Sequence, residues 1–145
     1  MAEKEIFVMI AYEHQAQYYE TDQMGIIHHS NYIRWMESAR IWWMQQAGID
    51  YRKMEEDGVV SPVVSVSCQY RSMVHFGDTV LIALKIEKYN GVKLSLSYRI
   101  TDKESGELRM TGNSEHCFMD RGGHLISLKK EYPDYDEAFV GELRA

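Results

Sequence analysis

From Asn31 to about Gln46 the apolar positions Tyr32, Trp35, Met36, Ala39, Trp43 and Ala47 recur at spacings of three and four, and Gly48 follows them. That period predicts one long α-helix closed by a glycine. At about 100° per residue its purely polar arc holds only Arg34, Ser38 and Gln45, while Ile33, Ile41, Trp42 and Met44 extend the apolar surface almost all the way round. Such a helix is expected to be mostly buried. Ser30 and Asn31 carry side-chain oxygens suited to capping its first amides, which leaves the positive end of the helix dipole just after the loop from Asp22 to His29. A shorter helix is expected from Asp50 to Asp57, stopping at Gly58.

The remainder reads as strand. Ile6 to Tyr19, with Ile6, Val8 and Ile10 alternating, predicts a first strand, and Val59–Arg71, Asp78–Tyr89, Val92–Thr101 and Leu108–Asp120 predict four more. Asn90-Gly91 suggests a type I′ hairpin, and Ser105-Gly106 and Gly122-Gly123 mark further reversals. The acids Glu131, Asp134, Asp136 and Glu137 read as a solvated terminal segment. An antiparallel meander with one helix inserted after its first strand is an α+β fold. Such a sheet leaves a face and an edge to manage, so a homo-oligomer is expected. No repeat, biased tract or linker divides the 145 residues, and a single domain over 1–145 is the expectation.

Composition narrows the chemistry. A formal net charge of −6 argues against a general nucleic-acid binder, because phosphate affinity is built from clustered Lys and Arg. The start, MAEKEIF, lacks the apolar core of a signal peptide, and no run of about 18 apolar residues could span a bilayer. A cytoplasmic location is expected. Cys68 and Cys117 sit alone in strand-like segments, without CxxC or paired histidines, and read as small core residues.

The chain has no GxSxG elbow, no phosphate loop, no GxGxxG and no HExxH. What remains is the stretch from Tyr18 to Tyr32, where a carboxylate, a glycine, two histidines and a helix start lie close together in sequence. Unpaired amides at a helix N-terminus can polarise a carbonyl and hold a developing oxyanion. Asp22 is then the candidate base or nucleophile, although an Asp in a turn can equally bond its own backbone. His28 reads as structural. The spacing of Asp22, His28, His29 and His14 does not match a zinc site, so no metal is expected. Glu37, three residues before Arg40, reads as an ion-pair partner with a possible supporting role near the site.

The run Tyr19-Glu20-Thr21-Asp22-Gln23-Met24-Gly25-Ile26-Ile27-His28-His29-Ser30-Asn31-Tyr32, continued by Arg34-Trp35-Met36-Glu37, resembles the signature of the 4-hydroxybenzoyl-CoA thioesterase family of hotdog-fold acyl-CoA thioesterases. The likeness continues through Gly58-Val59-Val60-Ser61-Pro62-Val63-Val64 and Phe76-Gly77-Asp78-Thr79-Val80 and covers most of the chain. It implies a hotdog fold: a curved antiparallel sheet of five to six strands wrapped around the long helix. It also implies subunits paired as a dimer or a dimer of dimers, with active sites at their interface. By the same resemblance, Asp22 attacks or activates water towards the thioester carbonyl and the main-chain NH of His29 polarises its oxygen.

The histidine at position 29 is more similar to the bacterial short-chain acyl-CoA branch than to the hydroxybenzoyl-CoA branch. Gly25, Tyr32 and Lys93 are the candidates for binding acyl-CoA, and no cofactor is implied beyond the coenzyme A of the substrate. At the hairpin where the hydroxybenzoyl-CoA enzymes carry a basic phosphate-binding cluster, this chain has Tyr89-Asn90-Gly91-Val92-Lys93, with only Lys88 and Lys93 as nearby cations. Two rival readings stand beside hydrolysis. One is a dehydratase acting on 3-hydroxyacyl thioesters; the other is a non-catalytic module binding an acyl thioester or acyl carrier.

Overall fold

A computed structural model describes residues 11–144. In chain order its elements are β1 (Tyr12–Gln15), a one-turn 3-10 helix (Tyr18–Glu20), α1 (His29–Gln46), α2 (Tyr51–Glu56), β2 (Val63–Tyr70), β3 (Thr79–Tyr89), β4 (Lys93–Asp102), β5 (Leu108–Cys117), α3 (Leu128–Glu131) and α4 (Pro133–Arg144). The five strands form one sheet in the order β1-β3-β4-β5-β2. β1 runs antiparallel to β3, with Tyr12 opposite Ile82 and Gln15 opposite Thr79. At the other edge, Arg71 N donates to Arg109 O and Cys117 N to Pro62 O, which makes β2 antiparallel to β5. The expected alternation Ile6, Val8 and Ile10 lies outside the described residues.

Contacts divide the chain into two compact units: 11–40, 68–84 and 98–112 make one, and 41–67, 85–97 and 113–144 the other. In the first, Trp35, Met36 and Ala39 of α1 are buried, as are Val80 and Ile82 of β3 and Ile100 of β4. These are the positions that a period of 3.6 and a period of 2 send inward. In the second unit, Phe118 and Phe139 are fully buried, their ring centroids 5.5 Å apart, and Tyr89 stacks on Phe139 at 5.4 Å.

Four expectations are corrected. Helix α1 is less enclosed than expected: its polar arc of Arg34, Ser38 and Gln45 is exposed as anticipated, but so are Ile33, Glu37 and Gln46, because the chain covers only the face that carries Tyr32, Trp35, Ala39 and Trp43. Ser30 and Asn31 are not its caps, since the helix already begins at His29 and the capping acceptor is the imidazole of His28, whose Nδ1 receives the Ser30 amide at 3.2 Å. The Asn90-Gly91 turn is not type I′, which needs positive φ at both residues: only Gly91 has it (φ +90°). Asn90 instead uses Oδ1 to accept the amides of Val92 and Lys93 at 3.0 and 2.7 Å.

The acidic tail is a helix, α4, starting at Pro133 with Asp134 and Asp136 in its first turn, where both suit the helix dipole. Glu131, Asp134 and Glu137 do face solvent, but Asp136 Oδ1 accepts the Tyr89 hydroxyl at 2.6 Å. Burial and that carboxylate together push the Tyr89 phenol well above its ordinary pKa. Cys68 and Cys117 are both free thiols, Cys117 being the buried one.

Because Phe139 packs against Tyr89, Phe118 and Trp43 with no exposed surface, Phe139→Ala leaves a cavity in the second unit. The expected cost is about 3–5 kcal/mol of stability. Urea unfolding followed by tryptophan fluorescence measures it, and an unchanged midpoint would show that α4 does not hold that core.

Candidate active site

The loop between the 3-10 turn and α1 is a tight reversal in the first unit. Thr21 bridges Ile27, the Asp22 amide donates to Ile26 O at 2.8 Å, and the Gly25 amide returns to Asp22 O at 3.1 Å. Its return segment is held from the far side as well: Ile26 bridges His75, and the Ile27 amide donates to Val74 O at 2.9 Å. Gly25 turns the corner with φ +78°, a backbone state that costs an L-residue roughly 1–2 kcal/mol. A Cβ there would meet nothing within 4 Å, so the dihedral and not crowding selects glycine.

Asp22 is half-buried, and its Oδ1 accepts the Met24 amide at 2.8 Å. That is the self-bonding turn geometry expected of Asp, and it uses one oxygen. Oδ2 has no hydrogen-bond partner among the described residues. Seven residues on, α1 opens. Asn31 N donates to His28 O at 3.0 Å and Ser30 N to His28 Nδ1, whereas the His29 amide meets no acceptor among the described residues. The unpaired main-chain donor is therefore the one expected to polarise a carbonyl. The His29 ring is exposed and stacks on His28 at 4.2 Å, and the His29 carbonyl lies 3.4 Å from the Tyr70 hydroxyl, which donates.

Tyr32 is buried, edge-on to Tyr70 with ring centroids 5.1 Å apart. Burial pushes its phenol above the ordinary value, opposed by a hydrogen bond from the Val74 main chain and by the positive charge of Arg109. Asp22, Gly25, His29 and Tyr32 thus all belong to the first unit. Lys93 belongs to the second, exposed at the start of β4. Among the described residues, no group of three or more His, Cys, Asp or Glu side chains is placed to hold a metal ion.

A residue without a periodic sequence signal of its own, Glu20, organises this loop. Glu20 is buried, and its carboxylate accepts three donors: Gln17 N at 2.8 Å, His14 Nε2 at 2.9 Å and Trp35 Nε1 at 2.6 Å. Its main-chain oxygen accepts two more, His28 N at 2.9 Å and Asn31 Nδ2 at 2.8 Å. The His14 ring also lies against Trp35, with centroids 4.7 Å apart. An acid beside two exposed tyrosines gives no periodic sign of burial. The one legible hint was an ionisable residue inside an otherwise aromatic turn.

Burial pushes the Glu20 carboxyl up, but the Gln17 amide, His14 and Trp35 outweigh it, and the folded value lies below the ordinary 4.5. A carboxylate whose pKa is depressed by folding contributes stability above its unfolded pKa and loses it as pH falls through the folded value. Wild-type protein is therefore expected to lose stability below about pH 4.5 more steeply than Glu20→Gln. Urea midpoints measured from pH 7 down to pH 3 test this; parallel curves would remove Glu20 from the acid response.

The loop, the long helix behind it and the strand order can be set against known proteins. Residues 17–139 match the family described as the Thioesterase-like superfamily. A relative from Bacillus subtilis, named "Putative acyl-CoA thioesterase YneP", is 38% identical over 128 residues, covering 88% of this chain and 92% of the relative. The crystal structure of a DHNA-CoA thioesterase from Staphylococcus aureus is 33% identical and superposes with a TM-score of 0.86, covering 90% of this chain and 88% of that one. A hypothetical protein from Thermus thermophilus, 28% identical, superposes with a TM-score of 0.84 over 91% of this chain and 98% of its own. With a match over most of its length, a five-stranded sheet and one long helix, the chain belongs to the Thioesterase-like superfamily and has its hotdog fold.

Proposed function

We propose that the protein is an acyl-CoA thioesterase, cleaving an acyl-CoA thioester into a free acid and coenzyme A without a metal or bound cofactor. The observation that carries this reading is the pairing, on one braced loop, of a carboxylate with a free oxygen at Asp22 and an unpaired helix-start amide at His29. Family membership and the names of the Bacillus and Staphylococcus proteins support the same chemistry. The His29 amide receives the thioester oxygen as it gains negative charge. Asp22 then works in one of two ways. It attacks the carbonyl carbon, expels the coenzyme A thiolate and forms an anhydride that water hydrolyses, or it takes a proton from the water that attacks. In both routes the C–S bond breaks and the acid is released.

Substrate class is the finer part of the proposal. The histidine at position 29, more similar to the short-chain acyl-CoA branch than to the hydroxybenzoyl-CoA branch, favours a short acyl-CoA, with Gly25 allowing close approach at the turn and Tyr32 bordering the helix start. Lys93, exposed at the start of β4, is a candidate acyl-CoA contact. The active assembly is a dimer or a dimer of dimers, a reading supported by β2, an edge strand with Val63, Val64 and Val66 all exposed.

Release of free thiol from a panel of acyl-CoA thioesters is the deciding assay. Asp22→Asn is expected to lower kcat by on the order of a hundredfold or more with little change in melting temperature. Wild-type turnover in that variant would end the assignment. Lys93→Ala is expected to raise KM by roughly two- to fivefold at low salt and leave kcat unchanged, with the difference shrinking as salt is added. An unaltered KM would detach Lys93 from the coenzyme.

A further inference from the structure

Two donors on the same face of α1, Asn31 Nδ2 and Trp35 Nε1, one helical turn apart, converge on Glu20. The first reaches its carbonyl and the second its carboxylate. That carbonyl also takes the amide of His28, the residue directly before the unpaired His29 amide. The carboxylate reaches back to His14 of β1 and to the Gln17 amide that opens the 3-10 turn. Glu20 is two residues ahead of Asp22. A single buried residue therefore ties the segment that carries the carboxylate to the helix end that carries the amide, through five hydrogen bonds.

Each bond removes a different freedom. The two at the carbonyl set how far the start of α1 stands from the loop, and the Trp35 bond one turn further on fixes the rotation of the helix about its axis, since a second anchor along the same face is needed to stop it turning. The His14 and Gln17 bonds keep the carboxylate from following the helix. Without them the indole N–H would be satisfied only by a side chain free to swing.

We propose that Glu20 is a positioning residue for thioester cleavage, holding Asp22 and the His29 amide in register through the clamp it forms with Trp35, Asn31 and His14. This rests on the hydrolase reading of the loop. It predicts that Glu20 acts on the geometry of attack and not on substrate binding, because the residue is buried and each of its oxygens already accepts a donor: near-attack alignment changes kcat, whereas uniform binding changes KM.

Two conservative variants probe it in the full-length chain. Glu20→Gln keeps the shape but loses the charge and one acceptor, and Trp35→Phe keeps an aromatic ring while removing the indole N–H together with the pyrrole half of the ring system. In the thiol-release assay both are expected to lower kcat by about five- to fiftyfold with KM within about twofold of wild type. Glu20→Ala should fall further than Glu20→Gln, which is the rescue that the conservative change provides. Amide hydrogen exchange supplies a readout independent of turnover: exchange at His28 should quicken by about threefold or more in both variants, with amides of the second unit unaffected.

Unchanged kcat, a defect confined to KM, or unchanged exchange at His28 would each overturn the positioning role. Should wild type release no thiol from any acyl-CoA, the hydrolase reading fails, and the exchange measurement alone then decides whether the clamp orders the helix start.

Discussion

A carboxylate withdrawn from water must find donors for its lone pairs or give up its charge, and Glu20 finds three within 2.9 Å. The cost of burying it is met by Gln17, His14 and Trp35, and the balance leaves the acid ionised below its ordinary range. Its placement matters as much as its charge. Glu20 ends the 3-10 turn, and its carbonyl accepts the amide that precedes α1, so the loop between them is closed at both ends by one residue. The reversal from Asp22 to Ile26 then has little freedom left, since Ile26 and Ile27 are also held by His75 and Val74.

On this frame the two readings of Asp22 coexist. One oxygen closes its own turn onto Met24, as any Asp between a strand and a helix tends to do, and the other has no partner among the described residues. The turn bond orients the carboxyl group and leaves it an unshared oxygen, which is what a nucleophile or base needs. Helix α1 supplies the complementary pole. His28 caps the Ser30 amide with its ring, while the neighbouring His29 amide meets no acceptor among the described residues.

The second unit is organised by aromatic packing. Phe139 of α4 meets Tyr89, Phe118 and Trp43, and the Tyr89 hydroxyl finds Asp136 one turn before Phe139 on the same helix. A buried phenol needs an acceptor, and the acidic first turn of α4 provides it. What reads as a solvated acidic tail is the element that completes this core, and the pattern hides this because, of its apolar residues Ala138, Phe139, Val140 and Leu143, only Phe139 is buried. Pro133 followed by acids was the available helix signal.

Legible in the chain alone were the elements with local signals: α1 from the three- and four-residue spacing of Tyr32, Trp35, Ala39 and Trp43, the strands β3 to β5 from the segments between turn signals, and the short α2 between Asp50 and Gly58. The sequence also marked the Asp22 to His29 loop, because a carboxylate, a glycine and a helix start side by side are visible without coordinates. Only the tertiary structure decided which polar groups are satisfied and by what. Whether Ser30 or His28 caps the helix and whether Asn90 or a type I′ turn makes the hairpin are settled between residues two positions apart, and whether Glu20 faces water or takes in His14 and Trp35 depends on partners 6 and 15 positions away. Hydrogen bonds are directional and short, so a pattern that records only how apolar each position is says where the core lies but not which donor meets which acceptor inside it.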